Sequence, residues 1–132
     1  MAAKKYMITK EEAVFGDLPG HKGTFRIFID GLTCGSKSVS LLQNTMNAGN
    51  VGVVHDHETE HCMYVLSGKG TFNVDGQSLP MVPGNAFFVP AHVDHQVVVD
   101  KDSDIDYILI YAPAGPEQKL RELGANAFAR DK

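Results

Sequence analysis

Four histidines of this 132-residue chain stand at spacings that suit a shared metal ion: His55, His57, His61 and His95. A His-x-His pair on an extended strand points both imidazoles to one face, because side chains alternate along a strand. Neutral imidazole nitrogen is a common ligand of divalent transition metals. We therefore predict one divalent transition-metal ion per chain, held by these four side chains.

The polar run between His57 and His61 predicts a turn, so that His57 ends one strand and His61 begins the next. His95 stands on a separate strand that only a compact fold can bring near the other three. Glu58 and Glu60 offer a carboxylate ligand as an alternative to His61, although Glu60 is expected to lie on the opposite face of the strand. The sequence leaves this choice open.

The residues around the histidines resemble the two conserved motifs of the cupin superfamily. The first motif has two glycines that flank three histidines: Gly49, His55, His57, His61 and Gly68. The second is matched by Gly84, Pro90 and His95. Together the motifs cover about residues 49–98, and the pattern of flanking strands extends the resemblance to most of the chain.

The chain departs from the family pattern at two positions. Many cupins have a glutamate ligand where this chain has His61, so the resemblance is to the all-histidine variant of small single-domain cupins. The second motif usually has a glycine where this chain has His92, and a residue with a Cβ is expected to avoid positive φ there. We interpret His92 as a loop residue near the pocket mouth, and whether it contributes to the site stays open.

Short apolar segments separated by glycine, proline and asparagine predict an all-β domain. The predicted strands span residues 25–30, 38–43, 51–54, 62–66, 70–74, 77–81, 86–89, 95–99 and 105–111. Asp75-Gly76 predicts a type I′ hairpin turn, in which both central residues have positive φ. The cupin resemblance implies that residues 1–132 form a single jelly-roll β-barrel or sandwich.

A short C-terminal helix is predicted after the last strand. Pro116 is a suitable first residue for a helix from Glu117 to Phe128. Its spacing places Leu120 toward the barrel and Arg121 toward solvent.

Composition excludes several classes of partner. The net charge of -4 gives no basic surface for nucleic acid. No apolar stretch is long enough to span a membrane, and no secretory signal follows the start, so we expect a cytoplasmic protein. Cys34 and Cys62 are far apart in sequence and are expected to be free thiols.

Four neutral imidazoles leave a divalent metal site with a net charge near +2, which attracts an anionic or chelating small-molecule substrate. Imidazole suits zinc, copper, iron, nickel and cobalt. The cupin resemblance adds manganese, and manganese or iron is favoured. The same resemblance implies a homodimer.

Three functions are compatible with this site. The first is a dioxygenase-type enzyme that cleaves a carbon–carbon bond of a substrate chelated at the metal. The second is a lyase, isomerase or decarboxylase that uses the metal as a Lewis acid. The third is a non-catalytic module that binds a small molecule. Candidates for substrate contacts or proton transfer are Arg26, Gln96 and Tyr107.

Overall fold

The computed structural model describes residues 5–122 and shows an antiparallel β-sandwich of two sheets. Its elements are β1 (Val14–Asp17), β2 (Gly23–Ile29), α1 (Gly31–Cys34), β3 (Ser40–Met46), β4 (His61–Ser67), β5 (Gly70–Val74), β6 (Gln77–Met81), β7 (Ala86–Val89), β8 (His95–Val99) and β9 (Ile105–Tyr111). No helix in this part of the chain is long and apolar enough to cross a lipid bilayer.

The two sheets enclose one hydrophobic core. The larger sheet has the order β1-β2-β3-β9-β4-β7, and the smaller has the order β6-β5-β8. Burial alternates along β3, β4, β8 and β9, so every second side chain of these strands points between the sheets. Seven apolar side chains of the described residues are fully buried: Phe25, Ile27, Leu42, Val65, Phe72, Met81 and Ile105. The predicted all-β sandwich is confirmed.

The hairpin between β5 and β6 is also confirmed. Asp75 and Gly76 have φ values of 49° and 74°, as a type I′ turn requires. The hairpin matters for function because β5 pairs on its other side with β8, which carries His95.

The predicted strand over residues 51–54 is wrong. These residues form an irregular loop, with isolated bridges at Val51 and His55. Val51, Val53 and Val54 are more than half exposed, so they lack the burial that usually stabilises a valine-rich strand. β1 and α1 were not predicted, because they have four residues each and offer little periodicity.

The C-terminal segment differs from its prediction at one residue. Residues 117–122 are helical, and the rest of the predicted helix lies outside the described residues. Leu120 packs against the core as predicted. Arg121 does not face solvent, because its guanidinium donates two hydrogen bonds, of 2.6 and 3.0 Å, to the carboxylate of Asp30.

Asp30 therefore joins two elements that are far apart in sequence. Its carboxylate is fully buried, and it accepts a 2.8 Å bond from the backbone N–H of Thr33 at the start of α1. Gln118 donates a further bond of 3.2 Å. Burial opposes ionisation of Asp30, but the bonds from Arg121 and Thr33 outweigh it and hold the carboxyl pKa below its usual value.

We expect Arg121→Met to destabilise the fold by about 3 kcal/mol, because it leaves the buried carboxylate of Asp30 without its cation. Urea unfolding at neutral pH measures this change. The exposed neighbour Glu122 provides the control, and Glu122→Gln is expected to change stability by less than about 0.5 kcal/mol. Equal effects of the two substitutions would show that the ion pair does not stabilise the fold.

The same pair sets part of the pH dependence of stability. Because the pKa of Asp30 is lower in the folded state, its contribution is present above the unfolded pKa of about 3.9 and is lost as the pH falls through the folded value. The acid-induced loss of stability is therefore expected to be smaller in Arg121→Met.

The outer face of the larger sheet carries an exposed apolar patch formed by Tyr64, Leu66 and Phe88. These side chains lie on the adjacent strands β4 and β7, and their exposed fractions are 48, 45 and 60%. Exposed apolar patches often mark contact surfaces between proteins. The homodimer implied by the cupin resemblance stays a prediction, and this patch is where we expect its interface.

If the patch forms the dimer interface, Phe88→Ser should shift the protein toward monomer at micromolar concentration, as measured by light scattering after gel filtration. Val39→Ser is the matched control, since Val39 is also an exposed apolar residue but is not part of the patch. A wild-type protein that elutes as a monomer would contradict the predicted homodimer.

Candidate metal centre

The four predicted ligands lie together between the two sheets. His55 and His57 lie in the loop between β3 and β4, His61 begins β4, and His95 begins β8. The ring centroids of His55 and His95 are 4.3 Å apart, and those of His55 and His57 are 4.8 Å apart. The ring of His61 lies 4.9 Å from that of His95 and 5.3 Å from that of His57.

Three of these side chains are positioned to hold one metal ion. A ligand nitrogen from each of His55, His57 and His95 lies within 4.8 Å of the other two. Metal–imidazole bonds of about 2.1 Å allow nitrogens on one ion to be at most about 4.2 Å apart, which is close to the observed spacing.

Backbone hydrogen bonds hold His55 and His95 in place. The two residues exchange N–H to carbonyl bonds of 3.1 and 2.9 Å across an antiparallel bridge. Their Nδ1 atoms lie 2.8 and 2.9 Å from the carbonyls of Val53 and Val93. Because a carbonyl only accepts, each Nδ1 carries the proton and each Nε2 keeps its lone pair for a metal.

His61, the member of the cluster that lies on the larger sheet, is as buried as His95. It is 4% exposed, and its Nδ1 is buried without a hydrogen-bond partner. Buried polar atoms normally have hydrogen-bond partners, so this unpartnered nitrogen is unusual. A metal ion bound at this nitrogen would satisfy it. His61 is not among the three histidines whose ligand nitrogens lie within 4.8 Å of one another, so its role as a fourth ligand stays a prediction.

Two imidazoles of the cluster, those of His57 and His61, are held in the neutral form that binds metals. Burial and, to a smaller extent, the neighbouring imidazoles of His55 and His95 lower the pKa of His57 to about 4. Burial and the neighbouring imidazoles of His95, His57 and His55 lower the pKa of His61 to about 3. A metal therefore has few protons to displace at neutral pH.

The cluster opens into a cavity of about 790 Å³, which is large enough for a medium-sized organic molecule. Apolar side chains form much of its wall: Leu18, Met46, Met63, Val97 and Leu109. Its buried polar side chains are Asn44, Tyr107 and Tyr111, and its exposed charged ones are Asp56, Glu58 and Lys119.

The structure separates the three candidates for substrate contact. Tyr107 lines the cavity, whereas Arg26 and Gln96 do not. Arg26 lies over the ring of Phe15 at 4.5 Å. Gln96 donates a 2.9 Å bond to the carbonyl of Gly52, and so it supports the loop that carries His55 and His57.

The residues left open by the sequence lie at the edge of the site. Glu58 lines the cavity but is exposed, and Glu60 is exposed and does not line it. The expectation that His92 avoids positive φ is wrong, because its φ is 63°. The backbone N–H of His92 donates a 2.7 Å bond to the carbonyl of His57, which helps to hold this left-handed conformation. Its exposed side chain does not line the cavity.

A fifth histidine near the site was missed. His21 lines the cavity, its ring lies 6.4 Å from that of His55, and its buried Nδ1 has no hydrogen-bond partner. It follows the turn after β1, more than thirty residues before His55. No spacing rule connects it to the other histidines, so only the fold reveals it.

The chain belongs to the cupin family. The family model for the cupin domain matches residues 43–111, which is just over half of the sequence and includes all four histidines of the cluster. No curated protein sequence matches the chain significantly.

Solved structures share the fold. An RmlC-like cupin from Shewanella frigidimarina has a TM-score of 0.73 and 24% identity, over 89% of this chain and 99% of that chain. KdgF from a Halomonas species has a TM-score of 0.73 and 22% identity, over 87 and 99%. The polyketide cyclase RemF from Streptomyces resistomycificus has a TM-score of 0.72 and 21% identity, over 88 and 82%.

We expect elemental analysis of protein made without a metal-binding tag to find close to one transition-metal ion per chain. His57→Ala removes one imidazole and should lower metal affinity at least tenfold, so that dialysis strips the variant but not the wild type.

His92→Asn is the matched control, because it removes a nearby histidine outside the cluster and asparagine tolerates positive φ. This variant should keep its metal. Absence of metal from the wild type, even after incubation with divalent manganese, iron or zinc, would contradict the metal centre.

Proposed function

We propose that this cupin is a metal-dependent enzyme acting on an oxygenated organic molecule that binds the metal through two oxygens. The main support is that the imidazole cluster opens directly into a cavity with largely apolar walls. The donor set of four neutral imidazoles would be His55, His57, His61 and His95. In a six-coordinate ion these nitrogens leave two positions free, which suits a chelating substrate.

A divalent ion bound there would supply Lewis acidity to substrate oxygens and, if redox-active, electrons for dioxygen. The protein contributes the surroundings. Met63, Val97 and Leu109 give the cavity an apolar lining that excludes water from the bound substrate. Tyr111 lies beside the cluster, with its ring 5.3 Å from that of His61. Burial raises the pKa of Tyr111, so its hydroxyl stays protonated and can donate a hydrogen bond.

The reaction we propose is oxidative carbon–carbon cleavage by dioxygen. For an enolisable β-diketone, one molecule of dioxygen is consumed, the bond beside the central carbon breaks, and both oxygen atoms enter the products. The products are a carboxylic acid and an α-oxoaldehyde. The cluster contains no carboxylate among the described ligand candidates, so an anionic enolate would supply the negative charge that the site lacks.

Lewis-acid chemistry without dioxygen is the second candidate. It is favoured by the protonated hydroxyl of Tyr111, which lies near the cluster and can stabilise an enolate oxygen by hydrogen bonding. An isomerase, lyase or decarboxylase would use the same ligands and the same cavity.

Oxygen consumption by metal-loaded protein with a panel of β-diketones tests the proposal. We expect dioxygen uptake equal to substrate loss with the iron or manganese form, and at least a hundredfold lower rate with His57→Ala. His92→Asn should retain the wild-type rate.

Substrate loss that continues at full rate under strict anaerobiosis would instead establish the Lewis-acid reaction. Tight binding of these compounds without any turnover in either atmosphere would contradict both enzymatic functions and leave a binding module.

A further inference from the structure

A pair of polar side chains, Asn44 and Tyr107, lies on the cavity wall away from the histidines. The two residues are directly opposite each other on β3 and β9 and line the cavity. They are 4 and 3% exposed. The apolar side chains of Met46 and Leu109, two residues further along β3 and β9, also line the cavity.

The hydrogen bonds of this pair are incomplete. Asn44 Nδ2 donates a 3.2 Å bond to the hydroxyl oxygen of Tyr107. The hydroxyl proton of Tyr107 is not used in that bond and remains available to donate. Asn44 Oδ1 is buried and has no hydrogen-bond partner. A buried acceptor without a partner costs stability, which makes an apolar side chain the better choice for folding alone.

The pair is separate from the metal centre. Tyr111 contacts the rings of His57 and His61, and Tyr107 lies four residues earlier on the same strand. At about 3.3 Å per residue, this places the Cα atoms of the two tyrosines about 13 Å apart along β9. A ligand in the cavity can therefore meet the histidines with one end and the polar pair with the other.

We propose that Asn44 and Tyr107 form a recognition subsite for an uncharged group that carries a hydrogen-bond donor beside an acceptor. A carboxamide, or the hydroxyl and carbonyl of a hydroxyketone, has this pattern. The donor of the ligand binds Asn44 Oδ1, and the Tyr107 hydroxyl donates to the ligand carbonyl.

The charges around the cavity favour a neutral group. Lys119 is the lysine or arginine among the described residues that line the cavity. Its side chain is exposed, and its charge contributes to lowering the pKa of His57. A carboxylate beside Asn44 would be buried without a compensating charge. Burial raises the pKa of Tyr107 to about 12, which keeps its hydroxyl protonated and able to donate.

This subsite does not depend on the proposed reaction or on the identity of the metal, since it concerns binding at a different part of the cavity. Its test therefore measures binding of two small probes that contain no chelating group. Failure of this test would leave the metal centre and its chemistry untouched.

Benzamide and acetophenone are suitable probes because they have the same shape and carbonyl, but only benzamide has N–H donors. Titrations of the metal-loaded wild type are followed by the NMR signals of ¹³C-labelled methionine methyl groups. Met46 and Met63 line the cavity and report binding there, whereas Met7 is 74% exposed and serves as the control signal. We expect benzamide to bind about fivefold to tenfold more tightly than acetophenone.

Two variants assign this preference to the pair. Asn44→Leu should remove the preference for benzamide while leaving the thermal midpoint of the free protein equal or higher. Tyr107→Phe should weaken both probes to a similar extent, because both carry the carbonyl. Equal affinities of the two probes in the wild type would overturn the subsite, as would a preference that persists in Asn44→Leu.

Discussion

The antiparallel bridge between His55 and His95 is the constraint on which the rest of the site depends. Its two backbone hydrogen bonds attach the loop between β3 and β4 to the smaller sheet, although that loop lacks regular structure. The same two residues direct Nδ1 at the carbonyls of Val53 and Val93, so both rings keep a free Nε2. Gln96 supports the loop from the side by bonding to Gly52. These bonds attach the irregular loop to β8 at more than one position.

Placing the cluster between the sheets determines its chemistry. The larger sheet contributes His61 and the smaller sheet contributes His95, so the site exists only when the two layers are packed together. The burial that results keeps the imidazoles of His57 and His61 neutral, and apolar side chains line much of the cavity beside the cluster. The C-terminal segment also lines the cavity, through Lys119 and Leu120. The neighbouring Arg121 holds this segment in place by its hydrogen bonds to buried Asp30.

Local patterns predicted the features that depend on neighbouring residues. Alternation of apolar side chains gave most of the strands, and Asp75-Gly76 gave the hairpin, because a type I′ turn is a property of its own two residues. The same reasoning failed over residues 51–54, where three valines predicted a strand. Whether valines form a strand depends on burial by other elements, and here they remain exposed.

The sequence by itself determined the family, the imidazole donors and the candidate metal ligands. All of these follow from two short motifs, which contain His55, His57, His61 and His95. Only the tertiary structure decided which other residues share the cavity. His21, Asn44 and Tyr107 come from three different parts of the chain, and no local pattern connects them. The inward turn of Arg121 was likewise set by Asp30, which lies 91 residues away. Such contacts depend on the packing of distant segments, because side-chain partners across a sandwich are set by strand order and register rather than by separation along the sequence.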